Sequence, residues 1–241
     1  MVFKNTLVSA SLVCTLLASE VSHADWVGDF ELGLSNSRGN TENTTVNAAL
    51  DMSKKNDSWE HNIFGQFYYS KSGSQRGAEN CFIGYKPSYY LTEKNYIFSF
   101  LRYGQDKYAS IDHRTTLVSG VGRQIIAMKN HRLQTELGIG GRQTIYMSSS
   151  STEDLPSDEI IYFLGGKYLG SISKTARFSE TVRVEGGGDN TYIATISSLK
   201  LSIEGNLSAN INYIARYNTD VTGDKGRKVD SLSSVTLVYH F

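Results

Sequence analysis

The segment Ser231-Leu232-Ser233-Ser234-Val235-Thr236-Leu237-Val238-Tyr239-His240-Phe241 ends the sequence and decides the fold. Successive side chains of a strand point to opposite faces, so Val235, Leu237, Tyr239 and Phe241 share one apolar face. Ser234, Thr236 and His240 lie on the other face. Terminal residues usually fray unless they are held in a sheet. We therefore expect Phe241 to be part of a final strand that pairs with another strand.

The same period of two recurs along the chain. It is clearest at Leu207, Ile211 and Tyr213, which alternate with Asn210 and Asn212. Twelve such segments follow one another, with short polar breaks after the even segments and the longer breaks after odd ones. Short turns at one end and long loops at the other are typical of outer-membrane barrels. The pattern predicts an all-β fold, a membrane-spanning antiparallel up-and-down β-barrel of about 12 strands.

The composition is compatible with this fold and excludes several other classes. The 241 residues contain 24 Lys and Arg against 24 Asp and Glu, so the sequence does not indicate a nucleic-acid partner. No segment approaches the roughly 20 apolar residues of a spanning helix. A barrel crosses a membrane with a polar composition because half of each strand faces the lumen.

The first 24 residues are predicted to be a signal peptide. Lys4 is followed by the mostly apolar segment 7–17, and small residues precede a cleavage site after Ala24. We expect residues 25–241 to form one outer-membrane barrel, exported to the bacterial outer membrane. Cys81 is then the only cysteine of the mature chain, which excludes an internal disulfide.

The final strand also resembles the recognition signature of bacterial outer-membrane barrels. This resemblance implies that the barrel-assembly machinery binds the C-terminal strand through Val235, Leu237, Tyr239 and Phe241. Outer-membrane lipids and lipopolysaccharide are the other expected partners. A soluble sandwich or lipocalin-like barrel also alternates, but it fills its interior with apolar residues.

The opposite faces of the strands predict a charged lumen. Seven acids and eight bases fall on these faces, which favours ion pairs and a narrow or obstructed interior. Twelve strands lie between the filled 8-strand barrel and the open porins, so a pore for small polar solutes is the alternative. The predicted lumen residues are Asp29, Glu31, Asp51, Glu60, Lys86, Arg123, Glu136, Arg142, Lys167, Arg177, Arg183, Glu185, Lys200, Glu204 and Arg216.

Two segments leave the strand assignment less defined. Pro87 interrupts the fourth strand, because proline cannot donate a ladder hydrogen bond. Both faces of residues 115–126 are apolar, so their orientation stays open.

Aromatic residues near the strand ends predict two belts at the membrane interfaces. The belt at the periplasmic ends is expected to contain Trp26, Trp59, Tyr89, Tyr96, Tyr168, Tyr239 and Phe241. The belt towards the outer ends is expected to contain Tyr69, Tyr103, Tyr146, Tyr162, Tyr192 and Tyr217.

Catalysis is the least supported interpretation. A lipid hydrolase would need Ser110, Asp112 and His113 to act together, although neighbouring strand residues face opposite sides. The glycines 186–188 precede no helix, so we interpret them as relieving crowding, or as permitting bends and bulges in tilted strands, rather than binding phosphate. The acidic segment 153–159 lacks the regular spacing of a calcium loop. We predict no enzyme, no cofactor and no metal site.

Several short motifs resemble an uncharacterised Gram-negative family. They are Trp26-Val27-Gly28, Gly39-Asn40-Thr41, Ile111-Asp112-His113-Arg114, Gly120-Val121-Gly122, Asp189-Asn190-Thr191, Arg216-Tyr217-Asn218 and Leu237-Val238-Tyr239-His240-Phe241. In this order and spacing they are similar to the YdiY-type proteins, which are described as salt-induced outer-membrane proteins. The resemblance implies an outer-membrane barrel related to the envelope or to salt stress, and it implies no reaction or ligand.

Overall fold

The computed structural model describes residues 26–37, 43–72, 75–107, 111–146, 157–188, 190–219 and 228–241. The predicted signal peptide, residues 1–24, lies outside them. Among these residues, twelve antiparallel strands form a closed barrel in sequence order, which confirms the predicted fold. The strands are β1 (Val27–Ser37), β2 (Asn43–Asn56), β3 (Trp59–Ser72), β4 (Gln75–Tyr90), β5 (Asn95–Asp106), β6 (Ile111–Ala127), β7 (His131–Tyr146), β8 (Ser157–Ser171), β9 (Ala176–Gly186), β10 (Thr191–Glu204), β11 (Leu207–Asn218) and β12 (Val229–His240). No helix in the described ranges has the length and hydropathy needed to cross a membrane.

The barrel closes where β1 pairs with β12. Asp29 to Leu32 pair with Leu237 to His240. Gly28 and Phe241 extend this ladder, since each backbone N–H donates to the other residue's carbonyl oxygen at 3.1 Å. Phe241 is therefore held in the sheet, as expected from the sequence. Closure pairs the two edges that would otherwise expose backbone groups.

The two ends of the barrel differ in the length of their connections. At one end, here named the turn end, the segments 57–58, 91–94, 128–130, 172–175 and 205–206 join the strands, and β1 begins and β12 ends there. The two-residue turns use positive φ angles, 41° at Asp57 and 54° at Gly205. The opposite end, the loop end, carries the longer connections, such as residues 147–156 and 219–228. This asymmetry agrees with the sequence prediction.

The apolar faces point outward along most of the barrel. On β12, Val235 and Leu237 are 68% and 54% exposed, whereas Thr236 between them is 2% exposed. On β11, Ile211 is exposed and Asn210 is buried. The orientation is the reverse of that in a soluble barrel, because the apolar side chains cover the outside.

Strand β5 departs from the expected orientation of its aromatic residues. Tyr96, Phe98 and Phe100 are only 3–5% exposed and face the lumen, whereas Ile97 and Leu101 lie outside. Tyr96 therefore does not belong to an interfacial belt. Both faces of β5 are apolar, so alternation alone did not show which face is the outer one.

Two further orientations are settled by the pairing of the strands. In β6, Leu117 and Val121 are exposed on the outside and Val118 is fully buried inside. Tyr192 also faces inward, because it pairs with the buried Glu185 and its ring lies 5.6 Å from the Arg183 guanidinium. It is therefore not part of the outer belt that the sequence suggested.

Proline does not end β4. The strand continues through Pro87, which lies opposite His61 of β3. On the other side, the pairing with β5 runs from Asn80 to Tyr85 and resumes at Ser88 in the same register. The missing N–H of proline accounts for a gap in the ladder without a shift of register.

The register of β11 predicts a cost that depends on depth in the membrane. Ile211→Arg places a guanidinium on the outer face well inside the strand and should lower the unfolding free energy by about 2–4 kcal/mol. Leu207→Arg, on the same face at the turn end, should cost only about 0–1 kcal/mol. Urea titrations of protein refolded into lipid vesicles measure both values. Equal costs at the two positions would contradict this placement.

Candidate functional site

Charged side chains line the inside of the barrel. Of the fifteen predicted lumen residues, thirteen lie on the lumen face of their strands, as shown by their contacts and by their pairing with buried residues. They are Asp29, Glu31, Asp51, Glu60, Lys86, Glu136, Arg142, Lys167, Arg177, Arg183, Glu185, Lys200 and Arg216.

Two predicted lumen residues lie elsewhere. Arg123 shares the outer face with Val121, and it is Gly122 that faces the lumen next to the ring of Tyr96. Glu204 follows a shift in register after Ser202, which pairs it with the outward-facing Leu207 at the turn end. Simple alternation placed both residues on the wrong face, since the orientation of β6 was open and a β-bulge is not visible in the sequence.

Glu31 of β1 forms a polar contact network on one side of the lumen. Its carboxylate accepts hydrogen bonds from Asn210 Nδ2 at 3.0 Å, Asn212 Nδ2 at 3.3 Å and Thr236 Oγ1 at 2.9 Å. The donors come from β11 and β12, so the side chain of Glu31 connects the three strands around the closure of the barrel.

Phe98 and Phe100 of β5 contact Phe163 of β8 inside the barrel. The ring centroids are 5.9 and 5.1 Å apart, in edge-to-face geometry. Val118 and Ile161 complete this cluster and are fully buried. Because β5 and β8 are not neighbours in the sheet, these contacts fill space within the lumen.

Ion pairs also connect strands that are not adjacent. Lys86 of β4 pairs with Glu136 of β7, which also accepts a hydrogen bond from Tyr96 at 2.8 Å. Lys200 of β10 pairs with Asp29 of β1. The predicted interlacing of opposite charges is therefore present in the described part of the lumen.

The most buried of these groups is Glu185 of β9, at 1% exposure. Arg102 Nη2 donates to its Oε2 at 2.9 Å, Arg183 Nε lies 3.3 Å from its Oε1, and Arg142 Nη1 lies 3.7 Å from its Oε2. The three guanidinium groups come from β5, β9 and β7. The Glu185 carboxylate thus connects β5, β7 and β9 in the half of the barrel nearest the loop end, here named the loop half.

Arg142 also binds Glu159 of β8. Its Nε donates to Glu159 Oε1 at 2.7 Å and its Nη2 donates to the Asn190 carbonyl oxygen at 3.1 Å. Gly187 makes room for this pair, because a methyl group there would overlap Glu159 Oε2. This contact supports the relief of crowding at Gly187, but not at Gly188, where an added methyl group would meet no atom within 4 Å.

Two members of this network are not among the predicted lumen residues. Arg102 lies two residues after Phe100, so it shares the inward face of the aromatic residues of β5. Glu159 was assigned to an acidic loop, but β8 already begins at Ser157. The alternation of Glu159 with the apolar Ile160 was the available signal for an inward carboxylate.

His113 shows no catalytic arrangement in the described residues, and Ser110 lies outside them. The His113 Nε2 is 3.1 Å from Asp112 Oδ2, and the His113 Nδ1 is 3.0 Å from the Tyr103 hydroxyl. The expectation that Asp112 and His113 point apart is wrong, because the β6–β7 register shifts between Ile111 and His113.

Histidine–tyrosine contacts recur elsewhere on the barrel. His61 Nδ1 lies 2.7 Å from the Tyr85 hydroxyl, and His131 Nδ1 lies 2.9 Å from that of Tyr168. Polar tips on aromatic side chains suit a membrane interface. In the described ranges, no group of three or more His, Cys, Asp or Glu side chains could hold a metal ion.

The fit of Glu159 beneath Gly187 predicts a specific effect of substitution. Gly187→Ala should lower the unfolding free energy by about 1–2 kcal/mol, because the carboxylate must move away from Arg142. Gly188→Ala is the matched control, since no atom lies within 4 Å of its added methyl group. Urea titration measures both. The double variant with Glu159→Ala should regain part of the loss, and full additivity would contradict the proposed overlap.

Two solved structures are similar in fold to this chain. The translocator domain of the autotransporter NalP from Neisseria meningitidis aligns with a TM-score of 0.50 at 13% identity, over 99% of this chain and 98% of that chain. The NanC porin aligns with a TM-score of 0.49 at 12% identity, over 89% and 98% of the two chains. At such identity the NalP similarity shows the fold, a barrel of the outer-membrane type.

Sequence comparison shows the family. The chain is 23% identical over 212 residues to "Uncharacterized protein YdiY" of Escherichia coli (strain K12), covering 88% of this chain and 82% of that protein. Residues 30–241 match the model of the family described as "Protein of unknown function, DUF481". The chain therefore belongs to the DUF481 family and is of the YdiY type.

Proposed function

We propose that this protein is a non-enzymatic structural barrel of the outer membrane whose narrow lumen is occupied by its own side chains. The contacts between non-adjacent strands carry this proposal. Phe100 reaches Phe163 from β5 to β8, and Arg102 reaches Glu185 from β5 to β9. An open channel of twelve strands would leave such side chains solvated and apart.

Buried charge strengthens this argument. Arg142 and Glu185 are 2% and 1% exposed, so neither borders a wide aqueous channel. Buried ion pairs are screened by salt much less than exposed pairs. Such an interior suits an envelope barrel that must keep its shape at high ionic strength, which is the salt-stress role that the family resemblance suggests.

A pore for small polar solutes is the second candidate. The pair Lys167–Asp51 favours it, because its atoms are 3.8 Å apart and its side chains are 46% and 56% exposed. A cavity of about 510 Å³ also lies at the turn end, lined in part by Arg177 and Lys200. The Asp51 and Lys167 side chains are more exposed than those of the aromatic cluster.

The route to the membrane is part of the same proposal. Residues 1–24 act as a signal peptide, and the barrel-assembly machinery recognises the apolar face of β12. Its exposed residues Val235, Leu237 and Tyr239 then contact lipid, and lipopolysaccharide surrounds the loop end. The alternation of β12 and its pairing to β1 support this order of events.

Ion conduction distinguishes the two candidate functions. In planar bilayers, the wild-type barrel should show a small conductance. The double variant Phe100→Ala and Phe163→Ala should raise the conductance several-fold, because it removes rings that cross the lumen. Ile97→Ala and Leu101→Ala form the matched control on the outer face of β5 and should leave conductance unchanged. A large and stable wild-type conductance would support the pore instead.

Two changes at the last residue separate assembly from stability. Phe241→Ala keeps the backbone hydrogen bonds to Gly28 and removes only the ring. It should lower the amount assembled in outer membranes, while refolded protein keeps its heat-modifiable mobility. Deletion of Phe241 removes the hydrogen bonds as well and should also weaken the refolded barrel, by about 1–3 kcal/mol. Normal assembly of Phe241→Ala in cells would argue against recognition of the ring.

A further inference from the structure

One cluster of side chains in the loop half of the lumen contains more positive than negative charge. Four guanidinium groups lie close together with two carboxylates, which leaves an excess of two positive charges within this cluster. This arginine cluster consists of Arg102, Arg114, Arg142 and Arg183 with Glu159 and Glu185.

Three guanidinium nitrogens in this cluster make no hydrogen bond in the described part of the chain. They are Nη1 of Arg102, Nη1 of Arg142 and Nε of Arg183, and all three are buried. Arg142 Nη1 lies 3.7 Å and Arg183 Nε 3.3 Å from Glu185 oxygens, whereas Arg102 Nη1 has no such ion-pair contact among the described residues. A buried N–H group of a cation that makes no hydrogen bond is costly, and a bound anion can supply the missing acceptor.

Arg114 is the member whose charge is least compensated. Its Nε donates to the Thr144 hydroxyl at 3.2 Å, and its side chain is near enough to Arg142 and Glu185 to interact electrostatically with both. A hydroxyl oxygen offsets a positive charge less than a carboxylate does. Arg114 therefore adds positive charge beside a guanidinium that already has an unpaired N–H group.

We propose that the arginine cluster binds a small inorganic anion, such as chloride, sulfate or phosphate. The anion accepts hydrogen bonds from the free Nη1 groups and offsets the excess charge. Bound there, it joins β5, β6, β7 and β9 at the loop half of the lumen. This inference is independent of conduction, because a bound anion would stabilise an obstructed lumen and a narrow pore alike.

The first test measures the stability of refolded wild-type protein in non-ionic detergent against anion concentration. Chloride, sulfate and phosphate are titrated as sodium salts, with the bulky sulfonate buffer MES keeping the ionic strength constant. The melting temperature should rise and saturate with the anion that binds, because a ligand of the folded state stabilises it by mass action. MES alone should cause no such saturable shift.

Variants separate binding from general salt effects, which also stabilise proteins. Arg114→Gln removes a positive charge without leaving a carboxylate unpaired, and it should lose more than half of the saturable shift. Arg177→Gln, at the turn end, should keep the full shift. Equal responses of wild type and Arg114→Gln would overturn the proposal.

A direct measurement does not depend on how the variants fold. The ³⁵Cl NMR line of a chloride solution should broaden when wild-type barrel is added, and sulfate or phosphate should reverse the broadening if they share the site. Competition identifies which anion binds more tightly. Absence of both excess line width and any saturable thermal shift would show that the cluster binds none of the three anions.

Discussion

The requirement that every backbone group be paired in hydrocarbon is the constraint on which this structure depends. It requires β12 to pair with β1, where Gly28 and Phe241 form two backbone hydrogen bonds. At the same place, the Glu31 carboxylate accepts hydrogen bonds from side chains of β11 and β12. Once the sheet is closed, alternation divides every strand into an outer and an inner face. The chemistry of the lumen follows from that division.

The inner faces bring side chains of several strands together within the lumen. Aromatic side chains of β5 and β8 meet on one side, and guanidinium groups of β5, β7 and β9 meet at Glu185. The aromatic contacts and the ion pairs of Arg102 and Arg142 with Glu185 connect strands that are not neighbours. Glycines such as Gly122 leave room for these large groups, since a side chain there would overlap the ring of Tyr96.

The sequence predicted the strand number, the asymmetry of the ends and the orientation of β11 and β12, because these depend on local alternation. It did not predict the orientation of β5, where Tyr96 and Phe98 are as apolar as Ile97 and Leu101. That choice depends on neighbouring strands. The bulge near Glu204 and the pairing of Arg142 with Glu159 likewise depend on register, which is set by contacts distant in the sequence.

Two properties of the lumen have opposite effects on its permeability to solutes. The aromatic contacts and buried ion pairs of β5 to β9 fill part of the lumen, while the pair of Asp51 and Lys167, between β2 and β8, is exposed. Solute permeability depends on whether the part of the lumen filled by these side chains spans the whole cross-section of the barrel. The number and burial of the contacts around Phe163 and Glu185 favour closure.

Entry of a small neutral sugar into vesicles tests this central claim most directly. Vesicles containing the refolded barrel are mixed with an iso-osmotic arabinose solution, and swelling is followed by light scattering. An occupied lumen predicts the same swelling rate as protein-free vesicles at any amount of barrel incorporated. A rate that rises in proportion to the amount of protein would contradict the account and show an open channel.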